Sequence, residues 1–292
     1  MDLYREYSPC SQLSSYIDKY WVFKGNVTKG TRFNILPDGC TDFVFTLGGA
    51  LNTVENPFYI RLYRSYFVGN MTKFSTLVAE TDCVHQFAIR FLPCGVASFI
   101  RQPLYELSNT RIHTADLQTI FTDTLTDILC EKETVEEQIA FIERFLQNYL
   151  YRNYYEVDKN IRYAVRQIDL SYGVLPIQNL VDKICLCQRH FERKFKQFTG
   201  FTPKEYSRIA QFKNAINLLR KPTFDSLLSV AIYSGYYDVP HLSREVKRLS
   251  GCTPNSFLVV PQDEDVTLTY VFAIKSFLYN RTDIHSSNFA NS

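Results

Sequence analysis

The stretch that decides the fold is QRHFERKFKQFTGFTP at residues 188–203, which recurs as VPHLSREVKRLSGCTP at residues 239–254. When the two copies are aligned, histidine, arginine, lysine, glycine and a Thr-Pro pair fall at the same six positions. These pairs are His190 and His241, Arg193 and Arg244, Lys196 and Lys247, Gly200 and Gly251, Thr202 and Thr253, and Pro203 and Pro254. Self-similarity at a fixed offset indicates a duplicated structural unit.

Each copy predicts a helix with one apolar face. Phe191, Phe195 and Phe198 lie at i, i+4 and i+7, and the second copy places Leu242, Val246 and Leu249 at the same spacing. Gly200 and Gly251 stand where such a helix ends, because glycine readily adopts the left-handed conformation of a C-terminal cap. The proline three residues later predicts the start of the next element, where a missing N–H costs little.

A shorter helix and a tight turn precede each copy. The apolar stripes of the shorter helices are Ile177, Leu180, Val181 and Ile184 in the first, and Leu227, Leu228, Val230 and Ala231 in the second. The turns are predicted at 185–187 and 234–237, and Asp238 is a good N-cap for the helix that follows it. Short helix, tight turn and longer basic helix describe a helix-turn-helix unit. A connecting helix is predicted from Tyr206 to Leu219.

The polar faces of the two longer helices predict contact with double-stranded DNA. In helix-turn-helix units the start of the second helix enters the major groove, where arginine recognises guanine and lysine neutralises phosphate. The candidate DNA-binding residues are Gln188, Arg189, Glu192, Arg193, Lys196, His241, Ser243, Arg244 and Lys247. The alternative, two solvated basic faces in an ordinary helical domain, would fit a single copy better than a repeated one.

The distribution of charge agrees with a polyanion partner for the repeated region. Residues 155–260 carry a net charge of +7, whereas residues 1–154 carry −3 and residues 261–292 carry −2. A basic segment beside a mildly acidic one is typical of a nucleic-acid-binding domain attached to a different domain. We therefore predict three parts, namely a β-rich sensor or dimerisation domain at 1–154, a DNA-binding domain at 155–260 and an extension at 261–292.

Residues from about 160 to 258 resemble the DNA-binding domain of AraC/XylS-type transcription regulators. The resemblance is carried by the following residues: Ala215, Leu218, Leu219, Val230, Ala231, Gly235, Tyr236, Asp238, Ser243, Arg244, Lys247, Arg248, Gly251, Thr253 and Pro254. It implies seven helices that present two helix-turn-helix units to successive major grooves, about 34 Å apart. The sequence departs from the family pattern at Val181, Gln211, Val246 and Cys187. Cys187 replaces a capping serine, which should weaken the start of the first longer helix by about 1 kcal/mol.

The first 130 residues predict a small β-barrel or sandwich. Short aromatic and β-branched runs at 42–47, 66–68 and 85–91 alternate with turns at 37–39 and 48–49. The whole chain is thus expected to be α+β, with flanking helices on the N-terminal β domain and an all-α C-terminal domain. The runs LPDGCTD (36–42) and RFLPCG (90–95) look like an N-terminal domain found on some members of the same family.

Aromatic residues of this half could line a cavity for a small-molecule effector, although alternating aromatics more often form plain core. The candidate liners are Tyr20, Trp21, Phe23, Phe43, Phe45, Phe87 and Phe91. An amphipathic helix at 135–149 either pairs two subunits in a homodimer or packs on its own barrel. The segment 266–278 is apolar enough to dock on the rest of the protein.

Nothing in the sequence predicts an enzyme, a metal or a cofactor. The N-terminal half holds only His85 and His113, too few and too far apart for a cupin-like metal site. Cys94 and the other scattered cysteines are expected to be reduced thiols. Two alternatives stay open, a cysteine-dependent DNA-modifying or repair protein and an interaction adaptor that has lost DNA binding.

No apolar run approaches a membrane span, and residues 1–6 do not resemble a signal peptide. We therefore expect a cytoplasmic protein that does not contact a membrane. RNA polymerase is a further candidate partner of such a regulator.

Overall fold

The computed structural model describes residues 4–153, 157–184, 186–221, 226–258 and 271–273. The fold is α+β, as the sequence predicts: two antiparallel sheets form the N-terminal part and short helices form the C-terminal part. The strands are β1 (Tyr4–Tyr7), β2 (Ile17–Asn26), β3 (Arg32–Ile35), β4 (Thr41–Gly48), β5 (Leu51–Thr53), β6 (Tyr59–Ile60), β7 (Ser65–Val68), β8 (Ser75–Ala79), β9 (Cys83–Phe91), β10 (Arg111–His113) and β11 (Val271–Ala273). The predicted strands at 42–47, 66–68 and 85–91 correspond to β4, β7 and β9.

The larger sheet has the strand order β1-β2-β9-β4-β7-β10, and the smaller one β11-β3-β8-β5-β6. Because side chains alternate along a strand, the long central strands β2, β4 and β9 of the larger sheet contribute apolar side chains to two cores, one on each face of the sheet. In β4, Phe43 and Phe45 point away from the smaller sheet, whereas Asp42 and Val44 point toward it. The space between the sheets is filled by a second apolar cluster that includes Trp21, Phe23, Phe33, Leu51 and Leu77.

Two helices, α1 (Asp123–Cys130) and α2 (Val135–Arg152), cover the outer face of the larger sheet. Ile142 and Leu146 of α2 are fully buried in the cluster that contains Phe43 and Phe45. The helix predicted at 135–149 therefore packs on its own β domain. Thr134 caps it by accepting a hydrogen bond from the backbone N–H of Glu137.

This arrangement decides between the two interpretations of the aromatic residues, the lining of a cavity or plain core. Of the seven candidate liners, only Trp21 and Phe23 face the space between the sheets. Tyr20, Phe43, Phe45, Phe87 and Phe91 lie on the opposite side, in the core beneath α1 and α2. The reason is the alternation of β2, β4 and β9, which sends neighbouring aromatics to opposite faces of one sheet.

The C-terminal part holds six described α-helices and a 3₁₀ turn at Pro254–Phe257, close to the seven helices that the resemblance implies. The helices are α3 (Lys159–Leu170), α4 (Ile177–Val181), α5 (Gln188–Thr199), α6 (Pro203–Leu219), α7 (Leu227–Tyr233) and α8 (Val239–Ser250). The long helix α6 supplies apolar residues to two cores: Tyr206 and Ile209 pack with α5, and Phe212 and Ile216 pack with α8. It is the connecting helix predicted from Tyr206 to Leu219.

Part of the C-terminal extension joins the smaller sheet. β11 pairs antiparallel with β3, with Val271 opposite Ile35 and Ala273 opposite Phe33. Docking of the apolar segment 266–278 is thus confirmed at 271–273, and the rest of that segment lies outside the described residues.

Candidate nucleic-acid interface

The first helix-turn-helix unit consists of α4 and α5. Phe191 and Phe195 are fully buried and fix α5 against α3 and α6, so that the opposite face of α5 is turned outward. Cys187 stands at the N-cap in extended backbone conformation (φ −68°, ψ 150°), but its side chain accepts no hydrogen bond. The weak cap expected from the sequence is therefore confirmed. The turn predicted at 185–187 between α4 and α5 includes Cys185, which lies outside the described residues.

The second unit, α7 and α8, is capped more fully. The carboxylate of Asp238 accepts the backbone N–H of His241 at 2.7 Å, as expected for an N-cap, and Pro240 lies in the first turn. Both longer helices end at glycines in the left-handed conformation, Gly200 (φ 76°) and Gly251 (φ 73°). Leu228 departs from the predicted apolar stripe of α7, since half of its surface is exposed.

The nine candidate DNA-binding residues lie on two helices, five on α5 and four on α8. Six are exposed: Gln188, Arg189, Arg193, Lys196, Arg244 and Lys247. Glu192, His241 and Ser243 are half-buried. Each helix thus carries cations on the face opposite its apolar stripe, the arrangement that major-groove binding requires.

Some polar side chains of α5 and α8 already have a partner within the protein, whereas others do not. Lys194 pairs with Asp158 at 2.6 Å, and Arg248 pairs with Glu245 at 2.8 Å. Gln188 donates from Nε2 to Glu192 at 2.9 Å. Within the described residues, none of four exposed cations forms an ion pair: Arg189, Arg193, Arg244 and Lys247.

Lys196 differs from these four because it faces the N-terminal domain. Its ammonium lies 5.6 Å from the ring centroid of Tyr105, in the 3₁₀ turn at Leu104–Leu107 that packs on α5. Sequence reasoning also passed over Tyr237, which is 90% exposed and directly precedes the N-cap of α8. Its position in the turn before a capping aspartate was the only available signal.

The LPDGCTD motif contacts the DNA-binding domain directly. Leu36 is only 2% exposed and belongs to the apolar core formed by α6, α7 and α8. Gly39, in the left-handed conformation (φ 86°), lies so close to α6 that a Cβ there would come within 2.7 Å of the Tyr206 ring. The turn between β3 and β4 is therefore an interdomain contact as well as a local turn.

A buried ion pair holds this turn to the sheet. Arg90 of the RFLPCG motif donates from Nε to Asp42 at 3.0 Å, and its Nη1 lies 3.1 Å from Asp38. Trp21 donates its indole N–H to the same Asp42 carboxylate at 2.7 Å. Burial disfavours the charge on Arg90, but Asp42 and Asp38 outweigh this effect and hold the pKa of the guanidinium above its usual range. Sequence reasoning missed this ion pair, because Arg90 and Asp42 are 48 residues apart in the chain.

A second interdomain contact is made by the loop between β7 and β8, at residues 69–74. Asn70 packs against Gly200, the C-cap of α5, and Phe74 packs against Gly251, the C-cap of α8. Ser108 reinforces the first contact, because its hydroxyl lies within hydrogen-bond distance of three acceptors, the carbonyl oxygens of Gly200 and Leu104 and the side-chain oxygen of Asn70. One loop of the β domain therefore touches the C-terminal ends of both α5 and α8.

The cysteine considered as a nucleophile lies in a protected site. Cys94 is 7% exposed and packs with Ala97, Val157 and Phe198. Burial raises the pKa of its thiol to about 11, so the thiol is protonated at neutral pH. No group of three or more potential metal ligands exists among the described residues. None of the described helices combines the length and apolarity that a membrane span would need.

Comparison with known proteins agrees with the two-part architecture. Residues 180–258 match a family model described as a helix-turn-helix domain, which is of the AraC type, and residues 5–113 match one described as a domain of unknown function (DUF6597). Among solved structures, ToxT from Vibrio cholerae matches over 82% of this chain and 97% of its own, with 10% identity and a TM-score of 0.52. That similarity shows the fold. A search of curated proteins returned no match.

Two further solved structures match less closely. One is wild-type ToxT from Vibrio cholerae with a bound unsaturated fatty acid, with 12% identity over 82% of this chain and 94% of its own and a TM-score of 0.48. The other is a probable AraC family transcriptional regulator from Rhodopseudomonas palustris, with 19% identity over 35% of this chain and 95% of its own and a TM-score of 0.32. The family-model match thus identifies residues 180–258 as a helix-turn-helix domain of the AraC type, and the structure places it behind a β-rich N-terminal part.

Proposed function

We propose that this AraC-type regulator binds a specific DNA sequence by inserting α5 and α8 into two successive major grooves on one face of the duplex. The observation that carries the proposal is the pair of helices that α6 joins, α5 and α8, hereafter the recognition helices. Each has exposed cations on its outer face that form no ion pair with any residue that the structure describes. Such grooves recur once per helical turn, about every 34 Å.

The exposed residues divide into two proposed roles. Arg193 on α5 and Arg244 on α8 occupy equivalent positions of the repeat, and each is assigned to recognise a base through its forked guanidinium. Lys247, nearer the end of α8, is assigned to a phosphate. The remaining candidates near the starts of the two helices are assigned to adjust the position of each helix in its groove and the choice of bases. They are Gln188, Arg189, Glu192, His241 and Ser243. Lys196 would reach a phosphate once it leaves the Tyr105 ring.

The β domain is proposed to control this binding through a small-molecule effector. A narrow space of about 50 Å³ lies between the two sheets and reaches Trp21, Phe23 and Arg90. Leu36 and Asp38, at one end of that space, belong to the turn that packs on the DNA-binding domain. A molecule that widened the space would therefore displace a residue of the interdomain contact.

The same proposal places the protein in the bacterial cytoplasm, where its DNA and RNA polymerase are found. RNA polymerase is the proposed partner for activation, and a homodimer would place four helix-turn-helix units on a repeated operator. In this proposal residues 1–154 form the sensor or dimerisation domain, residues 155–260 the DNA-binding domain and residues 261–292 a C-terminal extension. The closed site of Cys94 gives no support to a cysteine-dependent DNA-modifying activity.

The test is selection of genomic DNA fragments by the full-length protein at two salt concentrations, followed by sequencing of the bound pool. We expect an enriched motif with two elements about one helical turn apart, and a steep loss of affinity with salt. Arg193→Ala and Arg244→Ala should each cost about 1–3 kcal/mol and relax specificity at one element only. Arg61→Ala, an exposed arginine of the β domain, is the matched control. A bound pool without any motif would favour the adaptor and refute sequence-specific regulation.

A further inference from the structure

An open cleft lies outside the space between the sheets, at the side of the β domain that faces α8. It measures about 300 Å³ and is bordered by the β5–β6 hairpin, the loop at 69–74 and the start of β10. That volume is at the lower end of the range for small-molecule sites. Its walls combine apolar groups with two cations and one carboxylate, namely Phe58, Met71, Phe74, Lys73, Arg111 and Glu55.

Arg111 is the central polar group of this cleft. In the larger sheet it lies opposite Val68, which in turn lies opposite Asp42, so its side chain stands on the sheet face that carries Asp42. Its Nη1 donates to the Ser75 hydroxyl at 2.9 Å. Within the described residues Arg111 forms no salt bridge, and burial lowers the pKa of its guanidinium. A guanidinium carries five N–H donors, and the bond to Ser75 uses one of them.

The charges around Arg111 select the ligand class. Lys73 is exposed at the rim and has no ion-pair partner among the described residues. Glu55 is the one carboxylate of the cleft, and its oxygens are occupied by the backbone N–H (2.8 Å) and hydroxyl (2.7 Å) of Thr76. Two cations against one carboxylate leave a single positive charge, which suits a monoanion better than a phosphate dianion.

We infer that this cleft binds a small monocarboxylate, with the carboxylate on Arg111 and Lys73 and a short apolar body between Phe58 and Phe74. Arginine is well suited to this role because its two parallel N–H groups match the two oxygens of a carboxylate. The site is separate from the narrow space beside Trp21 and Phe23, although Arg111 and Met71 border both.

The position of the cleft gives the ligand a route to DNA binding, a consequence that rests on the proposed function. Phe74, on one wall, is the residue that packs against Gly251 at the end of α8, and Asn70 of the same loop packs against Gly200 at the end of α5. A ligand that moves or fixes the loop therefore acts on both recognition helices at their C-terminal ends.

The test measures binding to the full-length protein in the absence of DNA, so that it does not depend on the proposed function. Benzoate and hexanoate are the probes, and the uncharged benzamide and hexanamide are their controls. Isothermal titration should give a Kd of about 1 mM or tighter for at least one carboxylate, which is attainable for ligands of this size. Both amides should bind at least about tenfold more weakly, because they lack a charge-assisted hydrogen bond.

Three variants locate the binding site. Arg111→Gln should weaken carboxylate binding at least about tenfold, and Lys73→Gln should weaken it severalfold. Arg61→Gln, which lies outside the cleft, should leave binding unchanged. Since Lys73 is exposed, its variant keeps the test valid even if Arg111→Gln fails to fold. The inference is overturned if neither carboxylate binds, if the amides bind equally well, or if Lys73→Gln and folded Arg111→Gln bind as tightly as the unaltered protein. Addition of the bound carboxylate to a DNA titration is a separate second step, and its failure would bear only on regulation.

Discussion

Replacement of Cys187 by serine should stabilise the first helix-turn-helix unit. Cys187 occupies the N-cap of α5 but accepts no hydrogen bond, whereas Thr202, at the N-cap of α6, accepts the N–H of Glu205 at 3.2 Å. The two residues have nearly the same backbone conformation, φ −68° and ψ 150° against φ −69° and ψ 156°. A serine hydroxyl at 187 is therefore already placed to accept the N–H of His190, three residues on.

The expected gain is about 1 kcal/mol, the typical value of a side-chain N-cap. Cys187 is exposed, so the substitution sacrifices no packing. For a domain of roughly 100 residues this gain corresponds to a rise in Tm of about 4 °C or more. Cys187→Ala is the matched control, because it removes the thiol without adding an acceptor, and it should give no gain.

Asp238→Ala supplies the reverse experiment on α8. Its carboxylate accepts the N–H of His241 at 2.7 Å, and its loss should lower the free energy of unfolding by about 1 kcal/mol. Thermal unfolding followed by circular dichroism measures all three variants. The reasoning is refuted if Asp238→Ala behaves as expected while Cys187→Ser is no more stable than Cys187→Ala, because the start of α5 would then not be limited by its cap.

Three further perturbations test other contacts. Asp42→Asn breaks the buried pair with Arg90 and should cost about 3–5 kcal/mol in chemical unfolding; an unchanged midpoint would contradict the role of that pair. Tyr105→Ala releases Lys196 from the β domain, and fluorescence anisotropy should then show a salt slope of DNA binding steeper by about 1, unless the lysine already reaches a phosphate. Burial opposes the charge of Asp158, but hydrogen bonds from its lysine partner and two backbone N–H groups lower the pKa of its carboxyl. Its stabilising contribution is therefore present above the unfolded pKa of about 3.9 and lost as the pH falls through the folded value, so the midpoint of Asp158→Asn should depend less on pH in that range.

The C-terminal domain was predictable because its signals are local. The apolar spacing of Phe191 and Phe195 fixes one face of α5, and Gly200 and Asp238 mark helix ends through the conformations and acceptors that their own side chains allow. The same spacing also predicts which residues of α5 are exposed, and these are the ones expected to contact DNA. Among the described residues of the predicted apolar stripes, Leu228 is the exposed one, since periodicity in a seven-residue helix cannot decide which of two adjacent leucines packs on the core.

The β domain was less predictable because its decisive contacts are distant in sequence. Arg90 meets Asp42 across 48 residues, and only the pairing of β4 with β9 brings the two together. The aromatic residues of β2, β4 and β9 could be recognised as strand residues, but the sequence does not say which face of the larger sheet is covered by α1 and α2. Tyr20 and Trp21 are neighbours in the chain and enter different cores for this reason.

The two N-terminal motifs, LPDGCTD and RFLPCG, are separate in the sequence but meet in the structure. Asp38 and Asp42 come from LPDGCTD and Arg90 from RFLPCG, and their ion pairs lie beside the narrow space between the sheets. The first motif also inserts Leu36 into the core of the second helix-turn-helix unit, and Cys94 of the second motif packs with Phe198 of α5. Both motifs therefore contact the helical domain, the first mainly at the second unit and the second at the first unit, and one arginine ties the two motifs together. A change at that arginine must act on both units at once, which is the property a sensor domain needs if it is to alter the relative placement of two recognition helices rather than the shape of either one.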